Sequence, residues 1–316
     1  MEECIKNEKT DQQNTVDSCV YNSNYYLHAF SGDSANYLKR VKAITYREKE
    51  MHDSYVLELI RFAGLNQNKH AKILDVGCGR GELVFMLATL GFSVDGIDYS
   101  QDAITLTTRA YEIIPDEIKK RVMVTYLNAK EMSFENKYDV IIMEDFVEHL
   151  YDWELIKVFE NAYRALKVDG RLIIFTKPNK NWIRYAYPIK RFFAIPKTLI
   201  KKIFFQKNIN ELSEYERKEH YRKTWRAIRT LDEPFLVKVA RFLELFYQRD
   251  CFNYACEKHV NETTPRHLKK LLKKSFLNVR VWCGDQSRNL FSMLTKSFWG
   301  SYIWAIAVKG EDNGKE

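Results

Sequence analysis

The stretch ILDVGCGRGE, Ile73 to Glu82, places Gly77, Gly79 and Gly81 directly behind an apolar run that carries one acid, Asp75. In such a loop the first glycine permits a tight turn, the second lets the backbone close on a ligand, and the third lets a helix begin near the strand. The free N–H groups of that helix start favour a polar or anionic ligand group. No Lys-Ser/Thr pair follows, which separates this loop from the mononucleotide phosphate loop. Asp75 would repel a pyrophosphate and suits an amine or sulfonium cation. Further along, VDGIDYS carries Asp98, and an acid there can accept both hydroxyls of a ribose while disfavouring a 2′-phosphate.

A second group of reactive side chains stands in EDFVEHL: Glu144, Asp145, Glu148 and His149. His149 has the intrinsic pKa to take a proton from a hydroxyl or an amine. Glu148 would orient it or hold a divalent cation with it. Two adjacent residues supply only part of an oxygen-rich shell, so no metal site is expected. The structural alternative makes Glu148 and His149 a helix-start cap and packing pair.

These groups need elements to position them. AKILDV, SVDGID, RVMVTYL, YDVIIM and GRLIIFT read as strands, and ELVFMLATLG, SQDAITLTTRAYEII (with Ser100 as N-cap) and WELIKVFENAYRAL as helices between them. That alternation is the signature of an α/β fold, a Rossmann-like, mostly parallel seven-stranded sheet with helices on both faces. A helix over 47–63 stops at Gly64 ahead of it. After Pro178 the alternation ceases, and residues 182–258 read as a mainly helical insertion or cap. TPRHLKKLLKKSF then predicts a helix with Pro265 early in it, followed by strands NVRVWCG and SYIWAIAVKG. The resulting division is an N-terminal extension 1–46, a first part of the core 47–181, the insertion 182–258 and the remainder of the core 259–316.

The extension is polar to about residue 20 and then strongly aromatic, with Tyr21, Tyr25, Tyr26 and Tyr37. As a group these would wall an apolar acceptor as a lid; the alternative is a segment packed on the body. Residues 182–207 hold Arg184, Lys190, Arg191, Lys197, Lys201, Lys202 and Lys207 and no acid, interleaved with apolar side chains. That suits peripheral contact with an anionic membrane, a lid over the acceptor, an oligomer contact, or ordinary packing with a basic face in water.

The 316 residues carry a formal charge of +8, with 46% hydrophobic and 29% charged content, a globular rather than disordered composition drawn to anionic partners. Cys4, Cys19, Cys78, Cys251, Cys256 and Cys283 lack a CxxC pair, which points to reduced thiols and not to a disulfide framework or zinc knuckle. Without a Lys-flanked apolar opening or a long apolar run, a cytoplasmic protein is expected.

Taken together, ILDVGCGRGE, GIDYS, YDVIIMEDFVEHL and GRLIIFTKPN resemble the motifs of class I S-adenosylmethionine-dependent methyltransferases, in the small-molecule branch that includes the ubiquinone-biosynthesis O-methyltransferases. The likeness covers about residues 70–180, and TPRHLKKLL resembles a late helix of that branch. It implies S-adenosyl-L-methionine as cofactor, with Asp75 drawing its ammonium, Gly77, Cys78, Gly79 and Gly81 forming the loop beneath it, and Asp98 on the ribose. Tyr99 would lie beside the adenine, Asn128 and Ala129 at its edge, and Asp145 and Phe146 on the methionine and acceptor side. Asn128 stands where an acid is common, and its amide oxygen can still accept the adenine amine. The resemblance also brings His259 near the acceptor as an acid/base or donor, against a structural histidine; for the lone His220 and His267 the structural reading is the expectation.

The expected reaction is methyl transfer to a small molecule, with a hydroxyl oxygen of a natural-product, sugar or quinone-like acceptor favoured. The alternatives are N- or C-methylation, a membrane-associated enzyme acting on a lipid-linked acceptor, and a cofactor-binding protein without catalysis. EDFV stands where an NPPY-like amino-methylation signature would, so DNA is not an expected partner. The expected assembly is a monomer or homodimer.

Overall fold

The computed structural model describes residues 15–28, 34–46, 54–189, 260–284 and 300–310, together with Phe192, Arg222, Trp225, Arg226, 228–230 and 234–240. Seven strands form one sheet: β1 (Lys72–Val76), β2 (Ser93–Asp98), β3 (Val122–Tyr126), β4 (Tyr138–Glu144), β5 (Leu166–Thr176), β6 (Asn278–Gly284) and β7 (Tyr302–Val308). Their order is β3-β2-β1-β4-β5-β7-β6. β1, β2, β3, β4 and β5 pair in parallel, and β7 runs antiparallel to both β5 and β6. The strand order therefore reverses between β1 and β4, and a crevice opens at their carboxyl ends, where ligands of open α/β sheets settle.

Strand periodicity feeds two cores. Ile73, Val140, Ile142 and Ile173 face one layer of helices, whereas Leu74, Val76, Ile141, Met143, Leu172 and Ile174 face the other. Both sides being covered explains the near-continuous apolar strands. The helices are α1 (Ser23–His28), α2 (Ser34–Thr45), α3 (Ser54–Ala63), α4 (Glu82–Thr89), α5 (Gln101–Ile113), α6 (Asp116–Lys119), α7 (Asp152–Ala165) and α8 (Pro265–Leu272). Ser100 caps α5 by accepting from the Ala103 N–H, and Thr264 caps α8 by accepting from the His267 N–H with Pro265 in the first turn.

Three features depart from the sequence expectation. β5 begins at Leu166 instead of near Gly170, because its first residues pair ahead of a register shift against β4. The aromatic extension is helical at α1 and α2. The short turns Ala129–Glu131 and Val147–His149 are 3-10 helices. In the insertion, Trp182–Ala186 is a π-helical turn, and 235–240 is helical; most of the basic run 182–207 lies outside the described residues. No helix among the described residues is long and apolar enough to cross a membrane.

Candidate active site

One cavity of about 1440 Å³ lies over the β1/β4 crevice, lined by the glycine loop, the ends of β2 and β4, and the N-terminal segment. At its floor, the N–H groups of Gly77 and Cys78 both donate to the Ile97 carbonyl, at 2.8 and 3.0 Å, which lashes the loop to the end of β2. Asp98 completes the tie by accepting from the Gly79 N–H at 2.9 Å and the Ser100 N–H at 2.8 Å. A carboxylate has about four lone-pair sites, and the N–H groups of Gly79, Ser100 and Tyr99 leave part of that capacity for a ligand hydroxyl.

The glycines are required for distinct reasons. Gly77 (φ 77), Gly79 (φ 50) and Gly81 (φ 77) occupy the left-handed region. A Cβ on Gly77 would collide with the Phe146 ring, one on Gly79 would lie 3.3 Å from the Tyr26 ring, and one on Gly81 would lie 2.6 Å from Thr107 Cγ2. Sequence reading set a cofactor against the loop; the protein's own rings, Phe146 just after β4 and Tyr26 of α1, also come close there. Gly81 does not line the cavity and serves as the N-cap position of α4.

Asp75 lines the cavity and is 2% exposed. Burial, and secondarily the negative charge of Asp98, push its carboxyl up to about 7. Burial also raises Asp98, against the N–H bonds from Ser100 and Gly79. Two desolvated acids facing one cavity favour a cation between them. Burial pushes the neighbouring Cys78 thiol well up, and its Sγ packs against Gly96, where a Cβ would come within 3.0 Å of it.

Tyr99, Asn128 and Ala129 line the same cavity. The Asn128 Oδ1 is already accepting from the Lys130 N–H at 3.0 Å, capping the 3-10 turn, and keeps one lone pair for another donor. At the end of β4, Asp145 holds a left-handed backbone (φ 44), with its N–H donating to the Phe175 carbonyl at 2.9 Å. Its Oδ2 pairs with Lys177 Nζ at 2.8 Å, while its buried Oδ1 has no hydrogen-bond partner in the protein. Burial raises the Asp145 carboxyl against the pull of Lys177.

His149 lines the cavity and meets the Tyr21 ring edge-on at 5.3 Å. Glu148 does not line it. Expected beside His149 as orienter or cation ligand, its carboxylate instead accepts from the Thr176 hydroxyl at 2.7 Å, and its backbone carbonyl accepts from the Asn261 N–H at 3.0 Å. The single 3-10 turn Val147–His149 sends the two adjacent side chains in different directions, and burial pushes Glu148 well up toward its neutral form. Among the described residues no three His, Cys, Asp or Glu side chains converge as a metal site. His259 and His220 lie outside the described residues; His267 pairs with Asp152 at 2.9 Å on the surface.

Tyr21, Tyr25 and Tyr26 line the cavity as an edge-to-face ladder, with ring centres 5.0 Å apart for Tyr21 and Tyr25 and 5.1 Å for Tyr25 and Tyr26. The buried Tyr21 hydroxyl has no hydrogen-bond partner in the protein. Tyr37, expected in the same wall, lies beneath it: it is 2% exposed and its hydroxyl donates to the Arg80 carbonyl. Its place in α2, packed on α4, removes it from the cavity.

Sequence reasoning missed Lys177 and Arg80. Lys177 follows β5 and reaches Asp145 at the end of the neighbouring β4, a pairing that no local spacing reveals. Arg80 stood inside the glycine motif, and its lone charge among small residues was the available signal. The chemistry on offer is clear: paired acids for a cation, Asp98 for a diol, an imidazole for a proton, and an aromatic wall against water.

Comparison with known proteins gives this geometry a family. A family model described as a methyltransferase domain matches residues 46–280. The chain is similar to the mitochondrial ubiquinone biosynthesis O-methyltransferase of Bos taurus, 34% identical over 120 residues that cover 37% of this chain and 31% of that protein. It is also similar to the ubiquinone biosynthesis O-methyltransferase of Rickettsia akari, 31% identical over 139 residues, covering 42% and 51% respectively. The chain thus spans about a third to a half of the length of these curated relatives. Among solved structures, it aligns with the glycopeptide N-methyltransferase MtfA complexed with S-adenosyl-L-methionine at 14% identity and a TM-score of 0.37, covering 39% of this chain and 55% of that one.

Proposed function

The chain belongs to the methyltransferase domain family, and from that premise we propose that it transfers the methyl group of S-adenosylmethionine to a hydroxyl oxygen of a small, quinone-like acceptor. The observation that carries the reading is the pair Asp75 and Asp98, two buried acids flanking one glycine loop and lining one cavity. Asp98 keeps accepting capacity for a ribose hydroxyl after bonding the N–H groups of Gly79, Ser100 and Tyr99. Asp75 draws the methionine ammonium, and the unpartnered Asp145 Oδ1 lines the same cavity from the β4 side. Tyr99 flanks the adenine, and the remaining Asn128 lone pair accepts its amine.

The cofactor supplies an already activated methyl group, so alignment and removal of water can account for much of the rate. His149 takes the proton that the acceptor hydroxyl must lose. Tyr21, Tyr25 and Tyr26 wall the acceptor from water. The choice of a quinone-like hydroxyl rests on the two similar ubiquinone biosynthesis O-methyltransferases and on the aromatic wall. Calorimetric titration of the full chain with S-adenosylmethionine and with its demethylated product tests the reading: saturable binding of both is expected, and folded protein that binds neither overturns it.

A further inference from the structure

We propose that Arg80 is the positioning residue that fastens the acceptor wall onto the cofactor loop. What the two sides bind rests on the methyl-transfer reading; the fastening itself does not. An arginine in a surface loop ordinarily keeps its charge in water, yet Arg80 is 5% exposed. Its Nη1 donates to the Tyr26 carbonyl at 2.8 Å and its Nη2 to the Glu82 carboxylate at 2.7 Å. The guanidinium lies 4.8 Å from the centre of the Tyr37 ring, whose hydroxyl returns a hydrogen bond to the Arg80 carbonyl. The second Glu82 oxygen sits 3.3 Å from Arg40 on α2.

One side chain thus joins three elements: α1 through Tyr26, α2 through Tyr37, and α4 through Glu82. A buried guanidinium is tolerated only when its N–H groups are matched, so these partners fix one another in a single geometry. The rigid fork serves two directions at once, which a lysine ammonium on a flexible stem reproduces only in part.

The wall has two points of attachment. At its start, the Ser100 hydroxyl donates to the Tyr21 carbonyl at 2.6 Å, and Asp102 accepts from both the Ser23 N–H (2.6 Å) and its hydroxyl (2.9 Å). At its far end stands the Arg80 bond to Tyr26, where the Tyr26 ring also covers Gly79. Asp75 and Asp98 do not depend on the Arg80 attachment, since Asp98 holds the loop through the Gly79 and Ser100 N–H groups. Loss of Arg80 therefore loosens Tyr25 and Tyr26 while the donor residues keep their places.

Amide hydrogen exchange of the full unliganded chain, read beside titration with S-adenosylhomocysteine, tests this. In Arg80→Ala, exchange over 21–28 should quicken by about tenfold or more, the loss of a hydrogen bond to a charged group, while β1 and β2 exchange as before. Affinity for S-adenosylhomocysteine should stay within about threefold, because its proposed ligands keep their own bonds. Arg80→Lys should fall between the two, a rescue that mere burial of a long side chain does not give. If Arg80→Ala does not fold, Arg80→Lys and Tyr37→Phe carry the test, each with faster exchange at 21–28 expected. Unchanged exchange at 21–28, or equal acceleration through β1 and β2, overturns the proposal. So does cofactor affinity that falls as far as exchange rises. A native protein that ignores S-adenosylhomocysteine sinks the methyl-transfer reading instead, and the exchange data still judge the latch.

Discussion

The two sides of the cavity are built differently. On the donor side, around β1 and β2, residues close in sequence tie themselves together: Gly77 and Cys78 to Ile97, and Gly79 to Asp98. On the acceptor side, the pieces come from distant stretches: Tyr21 from the extension, His149 from the end of β4, and Lys177 from the end of β5. The donor loop is held in place by backbone hydrogen bonds, whereas the acceptor side holds buried polar atoms, the Tyr21 hydroxyl and Asp145 Oδ1, without hydrogen-bond partners in the protein. A buried polar group left unpaired costs about 1–3 kcal/mol, so it persists where a ligand can repay it. One half is a socket preassembled from neighbouring strand ends; the other is assembled at long range, and in the proposed reaction it is the half that meets the acceptor.

The comparison breaks most visibly at His149. If the acceptor side contributes the base, His149→Ala should lower turnover by about 10²- to 10⁴-fold, the usual worth of general base catalysis, with cofactor affinity nearly unchanged. Turnover and cofactor affinity falling together would show that the two sides are not separable in this way; steady-state kinetics with calorimetry of the same variant decides.

A smaller effect is expected at the joint of the donor side. Asp98→Asn keeps the shape but loses the charge that accepts from Gly79 and Ser100, and hydrogen bonds to charged groups are worth about 1.5–3 kcal/mol. Affinity for S-adenosylhomocysteine should fall by roughly ten- to a hundredfold. A variant binding as tightly as the native chain would remove Asp98 from the ribose.

This asymmetry also decided what could be read from the sequence. The strands, the Ser100 cap, the early Pro265 of α8, and the placement of Asp75 and Asp98 depend on period, capping chemistry and short spacing, and all were legible. Glu148 was misplaced because adjacency in sequence says nothing about the direction in which a 3-10 turn throws each side chain, and Thr176 lies on another strand. Tyr37 was grouped with Tyr21, Tyr25 and Tyr26 by composition, but it sits in a second helix that α4 buries. The Lys177–Asp145 pair required the β4–β5 pairing itself.

The finest test of the donor side is its pH dependence. With its carboxyl raised to about 7 by burial and by Asp98, Asp75 is largely neutral below that pH in the free protein. A cationic ammonium prefers the ionised form, so binding must lower the Asp75 pKa and release a proton. Affinity should therefore rise as pH increases toward 7 and level off above it, a gain of about tenfold between pH 6 and pH 8 for one group titrating at 7. The cavity also faces Asp98, Asp145 and His149, and the ligand's own amine titrates near the upper end of the range, so the slope alone does not identify the group. Asp75→Asn isolates it. The variant should bind more weakly above pH 7, and the difference between the two proteins should shrink as pH falls and the native carboxyl takes up its proton. A difference that stays constant from pH 6 to 8 would mean that Asp75 holds its ligand by shape rather than charge, and the socket would owe its cation preference to Asp98.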